Sequence, residues 1–177
     1  LLPGGLGPYA LGEWADDTAM AIPILQASAR GENLLDPTTQ DTIAAAWADW
    51  SLGAKDAAPV IAKVLSAYDP ALGAESLRRA AAVLHASGTP ASGNASLMRT
   101  TPIALASLDD PAATARAARI YSDLTQHNAA FGGHMEMLEV DELSALRREV
   151  GASQIAARVA EFREAFEVQP DCQLIKR

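Results

Sequence analysis

Apolar positions recur at helical spacing along most of the chain, and Gly, Pro and Asp interrupt them at short intervals. The first run predicts a helix from about Asp17 to Arg30, closed by Gly31 at the position where helices turn left-handed. Pro23 lies inside it, removes one N–H and predicts a bend. Asp36-Pro37 marks a second start, a capping carboxylate followed by proline at the first helical position. Ile43, Trp47 and Trp50 then fall at i, i+4 and i+7, the spacing of an ordinary core stripe. A third helix is predicted with Asp56 as its cap and Pro59 in its first turn, burying Val60, Ile61, Val64, Leu65 and Tyr68. A fourth runs from about Gly73 to Ser87, with Leu77, Ala81 and Leu84 inward and His85 at the surface. A long polar loop from Gly88 to Ser96 leads into a second apolar run, Leu97 to Ala106. Asp110-Pro111 opens a further helix through Ile120 and Leu124, ending near Thr125-Gln126-His127-Asn128.

Past Gly132-Gly133 the chain is richer in charge and poorer in glycine. Leu138, Leu143, Leu146 and Val150 predict one amphipathic helix. Ile155, Val159, Phe162 and Phe166 predict another, with Gly151 between them and Gln169-Pro170 at the end, which together make a helical hairpin. No stretch alternates as a strand does. The expected fold is therefore all-α, a compact orthogonal array of several helices: a core over 1–133, with the hairpin of 134–177 packed on it.

Composition agrees. At 177 residues the chain can bury one sizeable core, roughly 70% of its unfolded surface. Its wealth of Ala and Leu suits closely packed helices. The net charge of −8, with no basic stripe, excludes nucleic acid as an expected partner. No apolar run approaches the length of a membrane span. The one cysteine, Cys172, excludes an internal disulfide and fits a reducing compartment, so a cytoplasmic location is expected. His85, His127 and His134 lack zinc-ligand spacing. Leu1-Leu2-Pro3-Gly4-Gly5 has neither the basic nor the apolar region of a signal peptide and reads as the middle of something longer. Gly5-Leu6-Gly7 is no dinucleotide fingerprint, since no strand precedes it and no helix opens on it.

Two stretches carry candidate chemistry. In Gly12-Glu13-Trp14-Ala15-Asp16-Asp17-Thr18-Ala19-Met20, adjacent carboxylates stand where a Gly-rich entry becomes a helix. One of them can cap that helix. Alternatively the pair, which repels itself, can hold a hard cation such as Mg²⁺ between its oxygens. In Gly93-Asn94-Ala95-Ser96-Leu97-Met98-Arg99, free N–H groups, an amide and a hydroxyl precede a helical run. That arrangement suits a phosphate or a ribose, or else simply a loop ending in a serine cap.

Together the two stretches resemble motifs of the ADP-ribosylglycohydrolase family. The first is similar to its Trp-Thr-Asp-Asp-Thr-x-Met motif. The second, followed by Pro102, is similar to Gly-Asn-Gly-Ser-Leu-Met-Arg. Gly53-Ala54-Lys55-Asp56 resembles a family Gly-x-Lys-Asp after a Trp-bearing helix, and Thr125-Gln126-His127 lies near a family Thr-His. Order and spacing agree over about residues 4–128. The resemblance implies an all-α fold with two Mg²⁺ ions and hydrolysis of the N- or O-glycosidic bond between ADP-ribose and a modified side chain. The implied substrate is an ADP-ribosylated protein or a small molecule containing ADP-ribose. It implies Asp16 and Asp17 as metal ligands and catalytic carboxylates. Gly93, Asn94, Ser96 and His127 become the implied ADP-ribose contacts.

The sequence departs from the family pattern at several places. Ala15 stands where the family has Thr, so one oxygen ligand is replaced by methyl. Residues 100–177 contain no Asp-x-Asp, the family's source of the other metal ligands. The family's N-terminal helix would precede Leu1, so the fold is expected to be incomplete at both ends. Gln126 stands at the His position with His127 beside it, and either can face the ligand. These residues by themselves are therefore expected to bind Mg²⁺ weakly and to hydrolyse ADP-ribosyl-arginine or ADP-ribosyl-serine poorly or not at all. The alternative is a non-catalytic relative that binds ADP-ribose or serves as a helical interaction module.

Overall fold

A computed structural model describes residues 9, 13–88, 95–107 and 109–127, and these are entirely helix, turn and loop. The six α-helices among them are α1 (Asp16–Ala29), α2 (Pro37–Ser51), α3 (Pro59–Leu65), α4 (Ala74–Ala86), α5 (Thr101–Ala106) and α6 (Pro111–Asp123). A single 3-10 turn, Leu97–Arg99, precedes α5. The predicted hairpin over 134–177 lies outside the described residues.

The boundaries follow from local chemistry. Asp36 caps α2 by accepting the Thr38 N–H at 2.9 Å, with Pro37 at the first helical position. Asp110 does the same for α6, accepting from Ala113 at 2.9 Å. Gly31, at φ 72°, gives α1 the left-handed exit that the sequence predicts. Pro23 sits inside α1, and the helix runs through it.

The predicted inward faces form one cluster. Met20 and Ile24 of α1 meet Ile43 and Trp47 of α2, Leu65 of α3, Leu77 and Leu84 of α4, and Tyr121 of α6. Trp47 is the hub. It is fully buried, its Nε1 donates to the Met20 carbonyl at 2.8 Å, and its ring meets Tyr121 edge-on at 6.2 Å. α1 packs on α2, α5 and the 3-10 turn, so the two chemistry-bearing stretches are direct neighbours.

One helix start depends on a partner distant in sequence. Gly73 precedes α4 at φ 56°, ψ −137°, and contributes no capping side chain. The cap is supplied from α2: Asp41 accepts the Ala74 N–H at 2.8 Å. A Cβ on residue 73 would stand 2.2 Å from the Asp41 carboxylate oxygen. Gly73→Ala therefore combines backbone strain with loss of the cap, about 2–4 kcal/mol in total. Asp41→Ala loses the cap alone, about 1 kcal/mol. Urea denaturation should rank the two in that order. Equal losses would mean that the Gly73 backbone carries no cost.

Candidate functional site

The head of α1 gathers the first set of groups. Ala15 is the N-cap, in extended backbone, and has no side chain able to cap. Asp16 and Asp17 occupy the first turn instead. Among the described residues their carboxylates accept only from the next N–H along the chain, Asp17 at 2.9 Å and Thr18 at 2.7 Å. Neither is therefore the N-cap, which corrects the expectation that one of them caps this helix.

The cap comes from Asp56, whose Oδ2 accepts the Asp16 N–H at 2.9 Å across 40 residues. Tyr9 donates its hydroxyl to the same oxygen. This corrects the expectation that Asp56 caps the third helix. The N-cap of α3 is Ala58, and no side chain bonds there. The physical reason is a difference in demand: Pro59 has already removed one free donor from α3, while Ala15 leaves the donors of α1 unserved. Lys55 and Glu13 pair at 2.6 Å beside this contact, fixing the 53–56 loop against the entry to α1.

Asp16, Asp17 and Asp56 thus surround one positive helix end. Burial pushes the Asp16 carboxyl above its usual range, and the neighbouring Asp56 charge pushes the same way. The Tyr9 phenol is raised to about 12, first by its bond to Asp56. Asp17 is exposed. The donors are hard oxygens carrying like charge at close quarters, which suits a hydrated Mg²⁺. Among the described residues no group of three or more His, Cys, Asp or Glu is gathered tightly enough to enclose an ion. Asp16 and Asp17 are the carboxylates here whose chemistry suits one side of such an ion.

The second set begins at Ser96; Gly93 and Asn94 lie outside the described residues. Ser96 is buried and makes no capping bond. Its backbone N–H donates to Gln126 Oε1 at 3.2 Å, and its hydroxyl accepts from Ser122 at 3.0 Å. Three residues on, Arg99 is completely buried. It donates through Nη2 to the Tyr121 carbonyl at 3.0 Å and to the Thr125 hydroxyl at 2.6 Å. Its Nη1 lies 3.7 Å from Met20 Sδ, and its Cζ stands 4.6 Å over the Trp47 ring. Burial lowers its pKa to about 9, and among the described residues its Nε has no partner.

The third set closes the circle. Gln126 is buried and faces Ser96, whereas His127 is exposed, its ring 5.8 Å from that of the exposed His85. Of the two side chains left open by the sequence, Gln126 is the one that braces the loop, and His127 is the one solvent reaches. Among the described residues no hydrogen bond joins Asp16, Asp17, Ser96 and His127 to one another; Ser96 is tied to Gln126 and Ser122, and His127 stands beside His85.

Sequence reasoning missed three contributors. Asp56 is visible inside Gly53-Ala54-Lys55-Asp56, but its neighbours in sequence point to a local cap. Arg99 closed a motif, yet nothing in its neighbours announces burial of an arginine. Ser122 carries no sequence signal at all. A family profile described as ADP-ribosylglycohydrolase matches residues 2–169. No curated protein and no solved structure matches the chain.

Proposed function

Because the chain belongs to the ADP-ribosylglycohydrolase family, we propose that it hydrolyses the glycosidic bond between ADP-ribose and a modified protein side chain in a Mg²⁺-dependent way. The family is a glycohydrolase family acting on ADP-ribosylated substrates, and it is metal-dependent in general. The observation that carries the finer reading is the convergence of Asp16, Asp17 and Asp56 on the head of α1.

The reaction is a substitution at the anomeric carbon of the ribose. Water supplies the oxygen that bonds to that carbon. The C–N or C–O bond to the side chain breaks, and the departing heteroatom takes up a proton. When bound, Mg²⁺ supplies positive charge that holds the ribose hydroxyls and acidifies a water. Asp16 and Asp17 would hold such an ion, and one of the two carboxylates would accept the single proton released by the attacking water. Asp56 keeps the first turn of α1 in place by capping it. Asn94, Gly93 and the exposed His127 contact the ADP-ribose, while Ser96 contributes by fixing the backbone that follows Asn94. The partner is an ADP-ribosylated protein or a small ADP-ribose compound. The proposed location is the cytoplasm, on the strength of the lone Cys172.

Calorimetric titration of the 177-residue chain with ADP-ribose tests the ligand half of this reading. Binding is expected in the micromolar to millimolar range and tighter with Mg²⁺ than with a chelator. A flat titration at millimolar ADP-ribose in both conditions would remove the ligand site.

A further inference from the structure

We propose that His85 and His127 form a two-imidazole binding site for a divalent transition-metal ion of the Zn²⁺ class. The site shares no ligand with the acidic head of α1 and does not rest on the functional reading above.

The histidines lack zinc-ligand spacing in the sequence, so this pair exists only in the folded chain. His85 stands in the last turn of α4, and His127 follows Leu124, the C-cap of α6. Both are exposed, and their ring centres lie 5.8 Å apart with the planes at 64°. A neutral imidazole presents one nitrogen lone pair, and such nitrogens suit Zn²⁺, Ni²⁺ and Cu²⁺ rather than Mg²⁺. A Zn–N bond of about 2.0–2.1 Å sets the ion about 3.2 Å from each ring centre. Two rings on one tetrahedral ion then have their centres about 5.2 Å apart. The observed separation is within about 0.6 Å of that spacing. Exposed side chains change rotamer within nanoseconds, so closing the gap asks for no change in the backbone.

Charge favours a cation at this place. His85 lies among the last carbonyls of α4, the negative end of that helix dipole. The net charge of −8 draws cations to the chain as a whole. Two protonated rings would repel each other, whereas a shared ion requires both rings neutral and holds them together. Among the described residues no third His, Cys, Asp or Glu joins the pair. Water would complete the coordination, which makes the site exchangeable rather than a closed structural one. Zinc on His127 would compete with the ADP-ribose contact proposed for that ring.

Calorimetric titration of the full chain with Zn²⁺ tests this. It is done in a Cys172→Ser background, so that the one thiol does not bind the probe. His85→Ala and His127→Ala should each weaken zinc binding at least tenfold, since even groups that only orient metal ligands are worth about 10–100-fold. The double variant should lose no more than the weaker-binding single one, because either change alone dismantles the site. Both rings are exposed, so all variants should keep the helical circular dichroism of their parent. A loss smaller than tenfold in either single variant overturns the inference, as does a parent that binds no zinc at millimolar concentration. Losses that add in the double variant would assign the two rings to separate ions and overturn it as well. Neither ADP-ribose nor Mg²⁺ enters the experiment, so its failure leaves the hydrolase reading intact.

Discussion

Trp47→Ala should cost at least about 4 kcal/mol of folding free energy, the largest stability loss expected from any single change in the described residues. Removing a buried tryptophan leaves a cavity worth about 3–5 kcal/mol. Two further losses add to that. The Nε1 bond to the Met20 carbonyl at 2.8 Å disappears, and the Arg99 guanidinium loses the ring beneath it at 4.6 Å. Most domains have only about 5–15 kcal/mol in total, so the variant should be largely unfolded at moderate urea. Trp47→Phe keeps a ring against Tyr121 but drops the donor, and should lose clearly less. Chemical denaturation followed by circular dichroism ranks the two. A Trp47→Ala chain within about 1 kcal/mol of the natural one would show that α1, α2 and α6 do not depend on this contact.

Helix starts and core faces were legible because their causes are local. Asp36-Pro37 and Asp110-Pro111 announce starts in two residues, and the structure caps α2 and α6 with those same carboxylates. Leu77, Ala81 and Leu84 repeat at helical spacing and are all buried. Caps supplied across the fold were not legible. Asp56 serves α1 from 40 residues away, and Asp41 serves α4 from 33. Nothing in either neighbourhood distinguishes such a carboxylate from a local cap or a solvated charge.

The candidate site divides in the same way. Asp16 and Asp17 could be picked out because two adjacent acids at a helix entry are electrostatically awkward unless they serve a purpose. Their neighbour Asp56 could not, since the repulsion it adds exists only once the chain has folded. Ser96 offers a hydroxyl in the sequence, and the fold turns that hydroxyl inward to Ser122. That inward turn depends on a partner 26 residues away, which no local pattern announces. Arg99 shows the converse. A cation is expected at the surface, and here three acceptors and an indole face draw it to complete burial.

The second large effect is on activity. Asp16→Ala and Asp17→Ala should each lower ADP-ribose release by at least about 100-fold, since even residues that only orient metal ligands cost about 10–100-fold. The fold should tolerate both changes. Among the described residues each carboxylate bonds only the next backbone N–H, and α1 keeps its cap on Asp56. Losing a first-turn acid costs about 0.3–1 kcal/mol at the helix dipole, and relief from the other two carboxylates offsets part of it. Melting temperatures near that of the natural chain, alongside lost turnover, would separate chemistry from stability.

Incubation of the chain with a peptide carrying ADP-ribosyl-arginine or ADP-ribosyl-serine tests the central claim most directly, with free ADP-ribose read by mass spectrometry. Slow release is predicted in Mg²⁺, with none above background in chelator and none from Asp17→Ala. Release that is indifferent to both chelator and Asp17→Ala, or no release under any condition while ADP-ribose still binds, would contradict the assignment of Asp16 and Asp17 to a metal-dependent hydrolytic site.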